Sequence, residues 1–258
     1  MSMTDFNMDF FSLKGQTALV TGGNSGLGQA FSLALAKAGA NIFIPSLAED
    51  DGTTRELIEQ EGVQMEFMKV DMTESGAPKR IIEACTEAFG SVDIVVNSAG
   101  LNKVASFEEF DKEKWDPMIH VNLTAAFEIS HEAAKQMIPQ RHGKIINICS
   151  MFSFHGGQGS PAYAATKHGL AGLTKAYCDE LAQYNIQVNG LAPGYYATDL
   201  TKGTRQDPKA NEKVIDHTPA GRWGEPQDLM GATVFLASPA SNYVNGHILA
   251  VDGGYLVR

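Results

Sequence analysis

The chain has 258 residues, 43% of them apolar, and a formal charge of −10. That length suits one large α/β domain with a substantial core, and the charge argues against a nucleic-acid or anionic-membrane partner, whose phosphates would be repelled. Cys85, Cys149 and Cys178 are scattered and odd in number, which offers neither a disulfide framework nor C-x-x-C metal spacing and points to a reducing, cytoplasmic setting. The seven histidines form no H-x-x-x-H pair, so no metal is predicted. No run approaches the ~20 apolar residues of a membrane helix. Residues 1–12 lack the basic start and apolar stretch of a signal peptide and are read as an arm, with residues 13–258 forming a single domain.

Along the chain, short apolar runs at 17–21, 41–46, 64–70, 93–97, 144–149, 186–191 and 247–251 read as strands. Helical patterns lie between them at 27–38, 52–60, 77–89, 108–138 and 162–183. This alternation predicts a doubly wound α/β Rossmann fold, with a single seven-stranded, mostly parallel sheet and helices on both faces. Residues 193–226 are rich in Gly, Pro, Thr and Asp. They are expected to be irregular and to form a substrate lid near 194–226, since they follow a strand end where α/β sheets bind ligands.

Thr21-Gly22-Gly23-Asn24-Ser25-Gly26-Leu27-Gly28 follows the first strand and opens the first helix. Glycines there let the backbone approach a pyrophosphate, which the helix N-terminus stabilises with free N–H groups. Cofactor choice turns on the end of the second strand. Ser46 ends it, Glu49, Asp50 and Asp51 follow, and no Lys or Arg occurs before Arg55. Neither Asn24 nor Ser25 is basic. The carboxylates would repel a 2′-phosphate, which favours NAD over NADP.

The spacing of Gly22, Gly26 and Gly28 resembles the T-G-x-x-x-G-x-G turn of the short-chain dehydrogenase/reductase family, and the likeness extends along most of the chain. It implies that Gly22, Asn24, Ser25, Gly26, Leu27 and Gly28 hold the pyrophosphate end, with Ser46 near the ribose and Asp71 and Met72 beside the adenine. Asp71 also reads as a helix N-cap. Asn97-Ser98-Ala99-Gly100 resembles the family's N-N-A-G element, placing Asn97, Ala99 and Gly100 by the cofactor with the Asn97 side chain supporting the sheet. Pro193, Gly194 and Thr198 resemble the P-G-x-x-x-T element that holds the nicotinamide carboxamide.

Tyr163 and Lys167 stand four apart, which puts both on one face of a helix. A ketone being reduced needs a proton donor and an alcohol being oxidised needs a base. A neighbouring ammonium and the positive nicotinamide ring favour the phenolate and lower its pKa. Ser150, thirteen residues earlier at a strand end, matches the family's substrate-orienting serine. Asn122 matches the residue that holds a water linking the lysine to solvent. The resemblance thus implies a catalytic tetrad of Asn122, Ser150, Tyr163 and Lys167.

Within the family, 145–151, 219–224 and 243–246 resemble bacterial sugar-acid dehydrogenases of the 2-deoxy-D-gluconate 3-dehydrogenase and gluconate 5-dehydrogenase type. Those relatives tend to carry adjacent arginines where this chain has Asn102-Lys103. Lys103 is either a substitute for meeting a carboxylate or a solvated lysine. Met151, His155, Gln158 and Tyr195 are candidate substrate contacts, with Phe152, Phe154 and Tyr196 beside them; packing is the equal alternative. The resemblance also implies a homotetramer, built on the helical stretch 108–138. Two other readings stay open: a 3-oxoacyl-carrier-protein reductase, which predicts NADPH use and a basic docking patch, and a non-enzymatic NAD-sensing protein.

Overall fold

Four strands are buried at every position: β1 (Thr17–Val20), β4 (Ile94–Asn97), β5 (Gly143–Ile148) and β6 (Ile186–Pro193). Parallel strands covered by helices on both faces must be so. With β2 (Asn41–Ser46), β3 (Met65–Lys69) and β7 (Ile248–Val251) they form one sheet of order β3-β2-β1-β4-β5-β6-β7. Every pairing is parallel. The computed structural model describes residues 7–258, so the first six residues of the expected arm lie outside the described residues. Met8–Phe11 form a 3-10 turn capped by Asn7, whose side-chain oxygen accepts from the Asp9 amide at 2.7 Å.

Nine helices are described: α1 (Gly26–Lys37), α2 (Thr53–Glu59), α3 (Ala77–Phe89), α4 (Lys112–Ile119), α5 (Ala125–Gln140), α6 (Pro161–Leu181), α7 (Lys202–Gln206), α8 (Pro208–His217) and α9 (Met230–Ala237). One core layer joins Phe31 and Leu35 of α1 and Leu236 of α9 to Ile42, Ile44, Ile94 and Ile146. The other joins Ile81 of α3, Ile129 of α5 and Leu181 of α6 to Leu19, Val95, Ile145 and Val188. The chain runs from β1 outward to β2 and β3, then returns to β4 on the other side of β1. The loops after β1 and β4 therefore diverge and open a crevice at the carboxyl ends of the strands. None of the described helices is long and apolar enough to cross a membrane.

The expected helix over 108–138 is broken. Asp111 caps α4, accepting from the Lys114 amide at 3.0 Å. Pro117 then lies inside α4, and proline has no N–H to give the carbonyl four residues back. One π turn follows, His120–Thr124, in which the Ala125 amide reaches back to the His120 carbonyl. Residues 193–226 are also more ordered than expected. They contain α7 and α8, the latter opened by Pro208 and by Asp207, which accepts from the Lys209 amide at 3.0 Å. Helix α9 has no counterpart in the expected elements, because MGATVFLA is almost wholly apolar and shows no amphipathic stripe.

Lys144, the second residue of β5, has only 8% of its surface exposed and donates to Asn242 Oδ1 at 2.8 Å and Ser241 Oγ at 3.2 Å. Burial pushes this lysine down to about 8. Because the folded value lies below the unfolded one, the unfolded chain binds more protons between the two, and stability rises with pH across that window. Between about pH 8 and about pH 9 the unfolded chain's thiols also titrate, but equally in both proteins, so the slope of unfolding free energy against pH is expected to be less positive in Lys144→Met than in the native chain. Urea titrations at the two pH values measure it, and equal slopes in both proteins would contradict this account.

Candidate active site

The glycine-rich turn is shaped by left-handed backbone at two glycines and by a close approach at a third. Gly22 and Gly26 take φ of +63° and +52°, and a Cβ on Gly28 would stand 2.2 Å from the Gly22 carbonyl oxygen. A Cβ on Gly26 would meet nothing within 4 Å, so the turn is open on that side. Ser25 makes no side-chain cap on α1, which leaves the helix's first amides available to an anion. Thr21 Oγ1 accepts from the Ser98 and Ala99 amides, each at 2.9 Å, and thereby joins this turn to the loop after β4. Asn24 and Asp50 each keep a buried side-chain oxygen without a partner. Uncapped amides and unpaired acceptors fit the phosphate oxygens and the ribose hydroxyls of a dinucleotide.

Asn97 turns inward. It is 4% exposed and donates to Ser130 Oγ and Asn147 Oδ1, both at 2.8 Å, while Asn147 donates to Thr174 Oγ1 at 2.9 Å. This buried net ties β4, β5, α5 and α6 together. Asp71 accepts from the Thr73 amide at 2.9 Å and hydroxyl at 2.7 Å, which holds its carboxyl below the usual range. It closes a turn rather than capping a helix, since α3 begins only at Ala77. Met72 is buried beside it. Pro193 ends β6 against Val251, and a Cβ on Gly194 would meet Asp252 at 2.8 Å. The Thr198 carbonyl accepts from Arg205 of α7 at 2.9 Å.

Ser150, Tyr163 and Lys167 come together where β5 ends and α6 begins. Ser160 and Pro161 open α6 and place Tyr163 in its first turn, with Lys167 one turn further along. The Lys167 ammonium donates to the Ile148 carbonyl at 2.6 Å and stands 5.3 Å from the centre of the Tyr163 ring. Lys167 is 4% exposed, and burial pushes it down to about 8. The nearby Ser150 hydroxyl favours the Tyr163 phenolate, but burial prevails and pushes the phenol up to about 12. The expectation that the neighbouring ammonium lowers this pKa is therefore corrected for the chain without cofactor: desolvation of the phenolate outweighs any such help.

Asn122 sits in the π turn, 1% exposed, and clasps the loop after β4. It donates to the Leu101 carbonyl at 2.8 Å and accepts from the Leu101 amide at 2.9 Å. The sequence reading did not single out Ser153. Its hydroxyl donates to the Lys167 carbonyl at 2.7 Å and accepts from the Ser150 amide at 3.3 Å, bracing the serine against the lysine. The three-residue spacing from Ser150, a capping pattern, was the available signal.

The expected substrate contacts divide. His155 and Tyr195 lie in an aromatic wall: Phe152 stands edge-on to Tyr163 at 5.8 Å and to His155 at 5.2 Å, and His155 and Tyr195 both flank Tyr255, at 6.1 and 5.3 Å. Tyr255 was missed, being far away along the chain. Gln158 is exposed in the loop before α6. Met151, 3% exposed, packs beneath the site, and Tyr196, 4% exposed, donates to the Val251 carbonyl at 2.9 Å from within the core. Lys103 reaches the Glu113 carbonyl at 3.4 Å, the group that Pro117 leaves without its helical donor. That contact gives Lys103 a structural use. Among the described residues, no group of three or more His, Cys, Asp or Glu is placed to hold a metal ion.

Residues 22–256 match the family model described as enoyl-(acyl carrier protein) reductase. The chain belongs to the short-chain dehydrogenase/reductase family. It is 70% identical to the uncharacterized oxidoreductase YgcW of Escherichia coli K12, over all of this chain and 98% of that protein. It is 48% identical to a 2-dehydro-3-deoxy-D-gluconate 5-dehydrogenase of Bacillus subtilis, over 97% of this chain and 98% of that one. Among solved structures of the family it resembles the gluconate 5-dehydrogenase of Burkholderia cenocepacia in complex with NADP and tartrate. There the TM-score is 0.92 and the identity 39%, covering 97% of this chain and 98% of that one. As a short-chain dehydrogenase/reductase the protein is an oxidoreductase.

Asn122→Ala would leave both Leu101 backbone groups without their partner, and is expected to lower unfolding stability by about 1–3 kcal/mol. Denaturant unfolding measures this, and an unchanged midpoint would show that the clasp contributes nothing.

Proposed function

We propose that this protein interconverts a secondary alcohol and a ketone on a sugar acid, with NAD(H) as its dinucleotide. The observation that carries this reading is the meeting of Ser150, Tyr163 and Lys167 at the end of β5, with the Lys167 ammonium 5.3 Å from the centre of the Tyr163 ring. When bound, the dinucleotide supplies or accepts the hydride. Tyr163 gives a proton to the developing alkoxide in reduction and takes it back in oxidation. Ser150 orients the reacting oxygen. Lys167 sets the charge beside the phenol, and Asn122 completes the proton relay. Gly22, Asn24, Ser25, Gly26, Leu27 and Gly28 would hold the pyrophosphate end, Ser46, Asp71 and Met72 the adenosine, and Pro193, Gly194 and Thr198 the nicotinamide. The segment 194–226, with α7 and α8, serves as the lid of a catalytic domain spanning 13–258.

Support for a sugar acid comes from relatives named for 2-dehydro-3-deoxy-D-gluconate and gluconate. Support for NAD comes from the loop after β2, where Glu49, Asp50 and Asp51 face any 2′-phosphate with like charge. The NADP found in the Burkholderia enzyme is the opposing observation. We further propose a cytoplasmic homotetramer. Exposed Trp115 on α4 and Phe127 on α5, 38% and 44% accessible, support burial of that face between subunits.

The test is initial rates with NADH and NADPH against 5-ketogluconate, 3-deoxy-2,5-hexodiulosonate and an acetoacetyl thioester. Turnover of a sugar-acid ketone with NADH is expected, falling by about 10²–10⁴ in Tyr163→Phe. Preference for the thioester with NADPH would overturn both the substrate and the cofactor assignment. A pH profile adds a second check. The Lys167 ammonium is present below about 8 and lost above it, whereas the phenol stays protonated to about 12. Ketone reduction is therefore expected to decline as pH rises through about 8, and a rate that climbs through that range would contradict the roles assigned here.

A further inference from the structure

The sequence places no cation near the end of β2, but the sheet does. Lys69, the last residue of β3, is the register partner of Ser46, the last residue of β2. In this fold the end of that strand is where the adenosine ribose is read. Lys69 and Glu49 form an ion pair there, with 58% and 68% of their side chains exposed. The loop that carries Glu49 is held over the glycine-rich turn by Asn24, whose Nδ2 donates to the Ala48 and Glu49 carbonyls, each at 3.1 Å. The nearby arginines are tied to backbone as well as to carboxylates: Arg55 donates to Glu59 and to the Met65 carbonyl, and Arg80 to Glu74 and to the Ser75 carbonyl.

We infer that Lys69 is a masked partner for a 2′-phosphate and that Glu49 is the residue that masks it, so that one carboxylate sets the choice between NADH and NADPH. This rests on the reading that the crevice binds a nicotinamide dinucleotide. An exposed ion pair holds its partners only weakly, so Lys69 can be transferred to another anion without disturbing the fold. With Glu49 present, a phosphate that takes Lys69 frees a carboxylate beside itself and adds it to Asp50 and Asp51. A ribose 2′-hydroxyl provokes no such contest. Removing the Glu49 charge while keeping its shape releases Lys69 and lessens the repulsion in one step. The Asn24 clasp holds backbone carbonyls and survives that change.

The experiment is equilibrium titration of NADH and NADPH into the full-length protein, read by the change in reduced-nicotinamide fluorescence. It compares the native chain, Glu49→Gln and Glu49→Gln/Lys69→Met. The inference predicts that Glu49→Gln tightens NADPH by about tenfold, the scale of one unit charge beside a dianion in water. NADH should be nearly unchanged, and the gain should vanish in the double variant. An unaltered NADPH affinity in Glu49→Gln overturns the inference. So does a gain that persists without Lys69, or one that NADH shares equally. If the native chain already binds NADPH more tightly while Glu49→Gln still shows a Lys69-dependent gain, the mask stands and the NAD preference proposed above falls. If neither dinucleotide binds any of the three proteins, both fall.

Discussion

A buried ammonium with no carboxylate to answer it among the described residues is the constraint around which this site is built. Lys167 is held by the carbonyl of Ile148, at the last residue of β5. A charge so placed is disfavoured by desolvation, and that is why it sits low enough to lose its proton near about 8. The arrangement persists because surrounding elements over-determine it. Ser153 ties the lysine's own carbonyl to the Ser150 amide, and the Asn97–Asn147–Thr174 net fastens α6 to the two central strands. The same net fixes where β5 ends, and so where Ser150 meets the phenol. Fold and chemistry share these bonds.

The break in the helical stretch 108–138 shows how a local defect becomes a site feature. Pro117 withholds an amide, Lys103 satisfies the carbonyl left behind, and a π turn absorbs the change in register. The π turn points Asn122 at Leu101, where its amide holds the loop after β4 by both donor and acceptor. Such turns are rare and costly enough to persist mainly where position matters. Here the position is the floor of the crevice beside Tyr163.

Much of this was legible along the chain because it is local. Strand burial, the glycine turn and the Tyr163–Lys167 spacing are each written within a few residues, and the sheet follows from their alternation. What escaped the sequence was set by distance or by competition between principles. The periodicity of 108–138 concealed Pro117, although proline alone argued for a break. Helix α9 has too uniform an apolar sequence to show a face. Tyr196 and Met151 looked like pocket residues by adjacency, but the core took them. Tyr255 joins the aromatic wall, and Lys69 the end of β2, only through folding. The pKa of Tyr163 moved opposite to expectation because spacing reveals a neighbouring charge but not the burial that outweighs it.

The central claim is that this phenol is held neutral by burial until the positive nicotinamide ring joins Lys167 beside it. Phenolate absorbance followed against pH, in the native protein and in Tyr163→Phe, isolates the ionisation of this one tyrosine. Without dinucleotide, the account predicts no difference signal at or below the ordinary phenol range near about 10; with saturating NAD⁺ the signal should appear at lower pH. A Tyr163 phenolate that forms near neutrality in the protein alone would contradict it.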